Sequence, residues 1–311
     1  MNLCESCSYS YYVCNDCGDF IYSDDTYFID DEAYCDSCAS EHAYSDLIKD
    51  AYYKPVPRFL GGYNATGYYG IELEIDGGHS RRDCAAAIAA AAGDDVYLKH
   101  DGSLNCGFEI VTHPATLNYH MQDMGWDKMV DIAKSYGFKS HDTTTCGLHV
   151  HASRTLFGEY EMIQDLNIAK CILLIENNFD SIILPFSRRT PDRMREWSRC
   201  PRAYINDYDN ELTAINKAKR TGDEGRYQAV NLTNRNTVEF RFFRGTLNIE
   251  TLFAALQFID FIIDYSSNNN LKDVCIKDFR DVLQQQATGY LKDYLIKRNI
   301  IKKEEECIEC V

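Results

Sequence analysis

Four stretches of the sequence carry ionisable side chains at alternate positions. Glu72 and Glu74 alternate with Ile71, Leu73 and Ile75 in Y-Y-G-I-E-L-E-I-D, and Glu109 stands between Phe108 and Ile110 in G-F-E-I-V-T-H-P. His149 and His151 alternate with Leu148 and Val150 in C-G-L-H-V-H-A-S, and Glu239 and Arg241 alternate with Val238, Phe240 and Phe242. A period of two is that of a β-strand, so each stretch has one apolar face and one charged face. A single such strand is usually the solvated face of an amphipathic sheet. Four of them point to one sheet with a dry face and a face that gathers carboxylates, imidazoles and a guanidinium. Same-face carboxylates roughly 7 Å apart along a strand repel each other unless a cation lies between them. In outline that face is a metal and phosphate site.

A second set of chemical residues lies at the ends of the chain. Residues 1–50 hold three C-x-x-C pairs, Cys4/Cys7, Cys14/Cys17 and Cys35/Cys38, and a fourth pair, Cys307/Cys310, lies in the acidic tail. The spacing of the second and third pairs suits a four-cysteine zinc site, in which two tight turns deliver two thiolates each. A redox dithiol would need only one pair. Cysteine arithmetic then leaves Cys4, Cys7, Cys307 and Cys310 for a second zinc joining the two ends. A cross-braced pairing of Cys4/Cys7 with Cys35/Cys38, or a redox or flexible tail pair, remains open. Residues 1–50 contain twelve Asp or Glu and one Lys, Lys49. A phosphate backbone needs neutralising cations, so the module reads as structural or protein-contacting, with no nucleic acid expected.

The elements that must position these residues follow from the rest of the chain. The net charge of −16 argues against bulk attraction to nucleic acid or anionic membrane. The N-terminal M-N-L-C-E-S-C has neither a basic segment nor an apolar core, no window reaches the length of a membrane span, and a cytoplasmic setting is expected. We divide the chain into a zinc-ribbon-like module (1–50), a Pro/Gly linker (51–66), a catalytic domain (67–300) and a C-terminal tail (301–311). Ser80 is a plausible N-cap for an alanine-rich helix ending at Gly93. Strands are expected at 96–98, 108–112, 147–152, 227–232 and 236–243. Helices are expected at about 116–135, 158–184 (stopped by Pro185), 249–264 and 281–297, with an irregular loop holding a short helix over 203–225, in which T-G-D-E-G forms a mobile turn. Six arginines fall within residues 188–202. Most should pair with the chain's own carboxylates, while one or two reach a phosphate.

Taken together, G-I-E-L-E, K-H-D-G-S-L with F-E-I-V-T-H-P, C-G-L-H-V-H and N-T-V-E-F-R-F-F-R-G-T resemble the amidoligases, carboxylate–amine ligases related in fold to glutamine synthetase and glutamate–cysteine ligase. The resemblance spans roughly residues 67–260 and implies an α+β fold: a curved antiparallel sheet forming an active-site funnel, with helices on its convex face. It implies ATP and Mg²⁺ as cofactors. Glu72, Glu74, Asp101, Glu109, His149 and Glu239 would be Mg²⁺ ligands, Glu239 and Arg241 catalytic residues, and Lys99, Arg188 and Arg241 ATP contacts. His151 stands where glutamate–cysteine ligases have asparagine, so no metal role is carried over to it. The implied activity joins a carboxylate and an amine, small-molecule or peptide, through an acyl phosphate. The alternatives are a metal-dependent hydrolase using the same ligands and a catalytically silent, zinc-bearing interaction protein, whose partner would meet the acidic module.

Overall fold

The computed structural model describes residues 10–29, 32–43, 47–62, 65–203, 211–223, 225–275 and 278–303. Two small antiparallel hairpins come first: β1 (Tyr11–Val13) with β2 (Phe20–Tyr22), and β3 (Tyr27–Ile29) with β4 (Glu32–Tyr34), followed by helix α1 (Asp36–Ala43). They close over their own small core of Cys14, Ile21, Tyr34 and Ala39.

The rest of the described chain is built on a seven-stranded mixed sheet. Its strands are β5 (Ile48–Lys49), β6 (Tyr69–Ile75), β7 (Val96–Lys99), β8 (Phe108–Thr112), β9 (Gly147–Ser153), β10 (Val230–Asn231) and β11 (Thr237–Arg244). They lie in the order β10-β11-β9-β6-β8-β7-β5. The four charged stretches are therefore neighbours in a single sheet. The expectation of an antiparallel sheet needs one correction, because edge strand β5 pairs with β7 in parallel. Ile48–Lys49 also falls within the stretch assigned to the zinc module, so the sheet begins before the linker. Two residues are too few to show any periodicity.

The apolar face behaves as the alternation requires. Ile71, Leu73, Ile75, Leu148, Val150 and Phe240 are almost wholly buried, in one continuous core with Met129, Ile172, Phe258 and Ile259 from the helices. Those helices are α2 (Arg81–Ala92), α3 (Leu117–Gln122), α4 (Trp126–Ser135), α5 (Glu161–Asn177), α6 (Leu184–Ser187), α7 (Pro191–Trp197), α8 (Glu211–Asp223), α9 (Ile249–Asn268), α10 (Leu271–Val274), α11 (Arg280–Gln286) and α12 (Gly289–Lys297).

Several expected boundaries move, each for a local reason. The helix expected over 116–135 is two, since Gly125 turns the chain in a left-handed conformation at φ 72°. Pro185 does not end a helix; it sits in the first turn of α6, where a missing N–H costs nothing, and a π-helical segment, Phe179–Ile183, links α6 to α5. Ser80 occupies the cap position of α2 in a left-handed conformation, without a capping hydrogen bond from its side chain. The T-G-D-E-G turn begins inside α8, where a Cβ on Gly222 would lie 2.4 Å from Leu232, so only glycine lets the helix approach. The strand expected at 227–232 shrinks to Val230–Asn231, and the stretch 281–297 divides at Gly289 into α11 and α12.

Candidate active site

Register brings the ionisable side chains together row by row. Glu74 lies opposite Glu109, which lies opposite Lys99. Glu72 lies opposite His149, and His151 opposite Glu239. Between Phe240 and Phe243 the pairing of β11 with β9 shifts by a β-bulge. The extra residue lets Phe242 and Phe243 both enter the core while Arg241 stays on the charged face.

Two groups of candidate ligands result, Glu72/His149/Glu239 and Glu74/Asp101/Glu109. In each, the ligand atoms lie within 4.8 Å of one another. The first is balanced by its neighbours. His149 Nδ1 is 3.3 Å from Glu72 and 3.8 Å from Glu239, and His151 Nε2 is 3.4 Å from Glu72. Glu239 also accepts from Asn231 Nδ2 at 2.7 Å and from Arg241 Nη1. Burial opposes the charge of Glu72, but His151 and His149 outweigh it and hold the carboxyl well below the usual range. His151 and Arg241 likewise outweigh burial at Glu239 and lower it. In return, burial of the His151 ring is overcome by the Glu72 charge, which lifts it to about 9.

The second group is short of positive charge. Glu74 accepts the Gly147 N–H, Ser103 N–H donates to Asp101 at 2.6 Å, and Lys99 Nζ is 3.3 Å from Glu109. Burial and the charge of Glu72 push Glu109 up to about 8 against Lys99. Burial also raises Glu74, against the pull of His149, the Gly147 N–H and Arg189. Three carboxylates crowded within 4.8 Å of one another are a set of hard oxygen donors that a cation would stabilise, and their chemistry suits Mg²⁺.

Both groups open into one pocket of about 880 Å³, whose wall carries Lys54, Lys99, Arg189, Arg226, Arg235 and Arg241. Carboxylates on the floor and guanidiniums on the wall would suit an anionic ligand that brings its own divalent cations. Arg188 is outside this pocket. It caps α6 in a left-handed conformation at φ 61°, and its guanidinium lies toward Tyr294 and Arg298, while Arg189 turns inward and donates Nε to the Phe243 carbonyl at 3.0 Å. Of these two neighbours it is Arg189, and not the Arg188 expected from the resemblance, that lines the pocket. Arg193 and Arg195 pair with Glu196 and Asp192, as most of the cluster was expected to do.

Two further residues had no assigned role. Asn231 orients Glu239. Asp76, closing β6, accepts from the backbone of Gly77, Asn105 and Cys106 and from the Thr145 hydroxyl, which fixes the loop descending from Asp101. Its signal in the sequence was a carboxylate placed directly before two glycines.

In the small module, Cys14, Cys17, Cys35 and Cys38 come together, their sulfurs all within 4.8 Å and Cys17 to Cys35 at 3.9 Å. Zn–S bonds of about 2.3 Å require a tetrahedral edge of ~3.8 Å. The Cys35 amide points at the Cys14 sulfur at 3.4 Å, and burial of Cys14 is outweighed by such amides, which bring the thiol down to about 6. A four-cysteine cluster that could hold a metal ion therefore stands where the spacing predicted one. Cys4, Cys7, Cys307 and Cys310 lie outside the described residues.

No described helix is long and apolar enough to cross a membrane. Among curated proteins, no sequence matches the chain. Similar solved structures include one described as "Apo GmaS without ligand" (13% identity, TM-score 0.40, covering 75% of this chain and 62% of that one). Another is a bifunctional glutathione synthetase from Pasteurella multocida (11% identity, TM-score 0.36, covering 75% of this chain and 46% of that one). The chain thus spans less than two thirds of the length of either. Residues 92–263 match the family described as "Putative amidoligase enzyme". That match takes in more than half of the sequence, including Lys99, Asp101, Glu109, His149, Glu239 and Arg241, and the chain belongs to this amidoligase family of ligase-type enzymes.

Proposed function

We propose that the protein is an ATP- and Mg²⁺-dependent ligase that joins a carboxylate to an amine through an acyl phosphate. The observation that carries this reading is the segregation of charge on one sheet face: two groups of cation ligands on the floor, guanidiniums along the wall. Glu74, Asp101 and Glu109 would hold one Mg²⁺, and Glu72, His149 and Glu239 a second. The cations would neutralise phosphate charge during transfer. Arg241 and Arg189 are suited to grip phosphate oxygens in bidentate fashion, and Lys99 supplies a point charge. Asn231 and Arg241 fix Glu239, so its carboxylate costs no reordering when a cation arrives.

The reaction balances without a protein nucleophile. A substrate carboxylate oxygen attacks the γ-phosphorus and ADP leaves. The amine nitrogen then attacks the acyl carbon, inorganic phosphate leaves, and the amine's proton passes to a base. The strand pairs and core-facing helices support the funnel implied by the resemblance, with this pocket as its mouth. The four-cysteine cluster would hold a structural zinc, and a second zinc on Cys4, Cys7, Cys307 and Cys310 belongs to the same reading. So does a cytoplasmic setting, where thiols stay reduced. The test is to incubate the full chain with ATP, Mg²⁺ and mixed carboxylates and amines, and to follow ADP. Turnover that needs ATP and stops with EDTA is expected. Sustained turnover with the metal chelated, or amide formed without ATP, contradicts the proposal.

A further inference from the structure

The charged pocket does not end at its carboxylates. Beyond Glu72 and His151 the same sheet face runs into a second chamber of about 340 Å³, which shares Glu72, Lys99 and His151 with the pocket. A volume near 300 Å³ is the lower end of ordinary small-molecule sites. The chamber's character is different. Its walls are Tyr53, Phe59, Tyr68 and Tyr97, and its floor is Val111 and Gly70. The rings sit in edge and tilted pairs, Tyr53 with Tyr97 at 5.7 Å and Phe59 with Tyr68 at 4.8 Å. Phe59 remains 60% exposed, an apolar ring left without full cover.

Gly70 is the opening in the floor. It stands on the charged face of β6, opposite His151 and two residues before Glu72, where the alternation calls for another side chain. A Cβ built there meets nothing nearer than the His151 Cβ at 3.6 Å, an ordinary contact, and its φ is not in the left-handed region. Neither backbone conformation nor crowding requires glycine at this position. A glycine inside a strand often marks a close approach of something else. The roof is stiffened by Pro55 and Pro57. It is pinned by Tyr53 N–H to Asp50, Arg58 N–H to His113 Nδ1 and Leu60 N–H to Pro114.

We infer that the chamber over Gly70 receives the aromatic ring of the carboxylate or amine substrate, with the reacting group reaching past Glu72 into the charged pocket. Flat rings gain from edge and face contacts with other rings beyond the area they bury. A nucleotide's triphosphate is the less suitable occupant. Arg189, Arg226, Arg235 and Arg241 all line the charged pocket and none lines the chamber, whose lysines, Lys54 and Lys99, are shared with the pocket. This inference rests on the ligase reading for which molecule brings the ring; the ring preference itself does not.

The test compares ring and chain probes on the full chain, without turnover. Binding of 3-phenylpropionate is measured against butyrate, phenethylamine against butylamine, and ATP against tripolyphosphate, for wild type and Gly70→Leu, which fills the floor. At least one aromatic probe should bind wild type tenfold or more tighter than its aliphatic counterpart, and Gly70→Leu should abolish that preference while changing ATP affinity less than twofold. Should Gly70→Leu not fold, Phe59→Ala, at an exposed position of the wall, should weaken the same probe several-fold. No ring preference in wild type, a preference that survives a folded Gly70→Leu, or an equal loss for ATP overturns the inference. A ring preference without ATP-dependent turnover would instead count against the ligase reading alone.

Discussion

Glu239 is held from three sides, by Asn231, Arg241 and the imidazole of His149. That makes it the side chain whose charge the site can least replace. Glu239→Gln keeps the shape and removes the charge that a hard cation needs. Glu74→Gln does the same in the second group. Each should lower ATP turnover about a hundredfold or more, the several kcal/mol that a bound cation supplies, with an unchanged circular dichroism spectrum. Near-normal turnover by Glu239→Gln would count decisively against its role. Arg241→Lys should also be severe, because an ammonium cannot reproduce the bidentate fork, whereas Arg188→Lys should leave turnover within about twofold. At this scale the sequence was legible where alternation spoke and silent where one backbone angle decided. Glu72, Glu74, Glu109, His149 and Glu239 are separated from their apolar neighbours by a period of two. Which of Arg188 and Arg189 faces the pocket turns on a left-handed residue at 188, and no periodicity signals that.

Elements meet the site through close backbone approaches, and two glycines test them. A Cβ on Gly107 would lie 1.8 Å from the Ile75 carbonyl oxygen, so β8 could not enter beside β6 without moving backbone. Gly107→Ala should cost about 2–3 kcal/mol in urea unfolding, the scale of an overpacked core. At Gly147 the nearest atom is Arg189 Nη2, the far end of a long side chain, at 2.5 Å. Gly147→Ala should therefore fold nearly as stably as wild type yet lose activity, as Arg189 and Glu74 are displaced. His120 on α3 ties that helix to β6, its Nε2 3.0 Å from the Tyr69 carbonyl, and burial brings the ring down to about 4. Because the folded pKa lies below the unfolded value near 6.5, the unfolded chain takes up the proton first. Stability from this group is whole above about pH 6.5 and is lost as pH falls toward 4. Between pH 7 and 5 wild type should lose about 2 kcal/mol more than His120→Gln. The bulge that frees Arg241 and the two-residue strand at Ile48–Lys49 were illegible for one reason: each departs from a regular period or is too short to establish one.

For the molecule as a whole, the four-cysteine cluster and the sheet are physically continuous. The Arg82 guanidinium on α2 donates to the Ser37 carbonyl at 2.8 Å, within the Cys35–Cys38 turn, and β5 follows α1 into the sheet beside Lys99. Structural zinc contributes on the order of 10 kcal/mol to small modules, so chelation should open residues 10–43 to proteolysis well before the sheet. Metal analysis should find two zinc per chain, falling to one when residues 305–311 are deleted; two retained after truncation refute the terminal site. On the proposed function, a carboxylate is activated by phosphoryl transfer in the charged pocket. Hydroxylamine probes that step, since this small amine traps an acyl phosphate as a hydroxamate. With ATP, Mg²⁺ and a carboxylate pool, we expect hydroxamate and ADP in equal amounts from wild type and neither from Glu239→Gln. Hydroxamate formed without ATP, or ADP released undiminished with the metal chelated, would contradict the account.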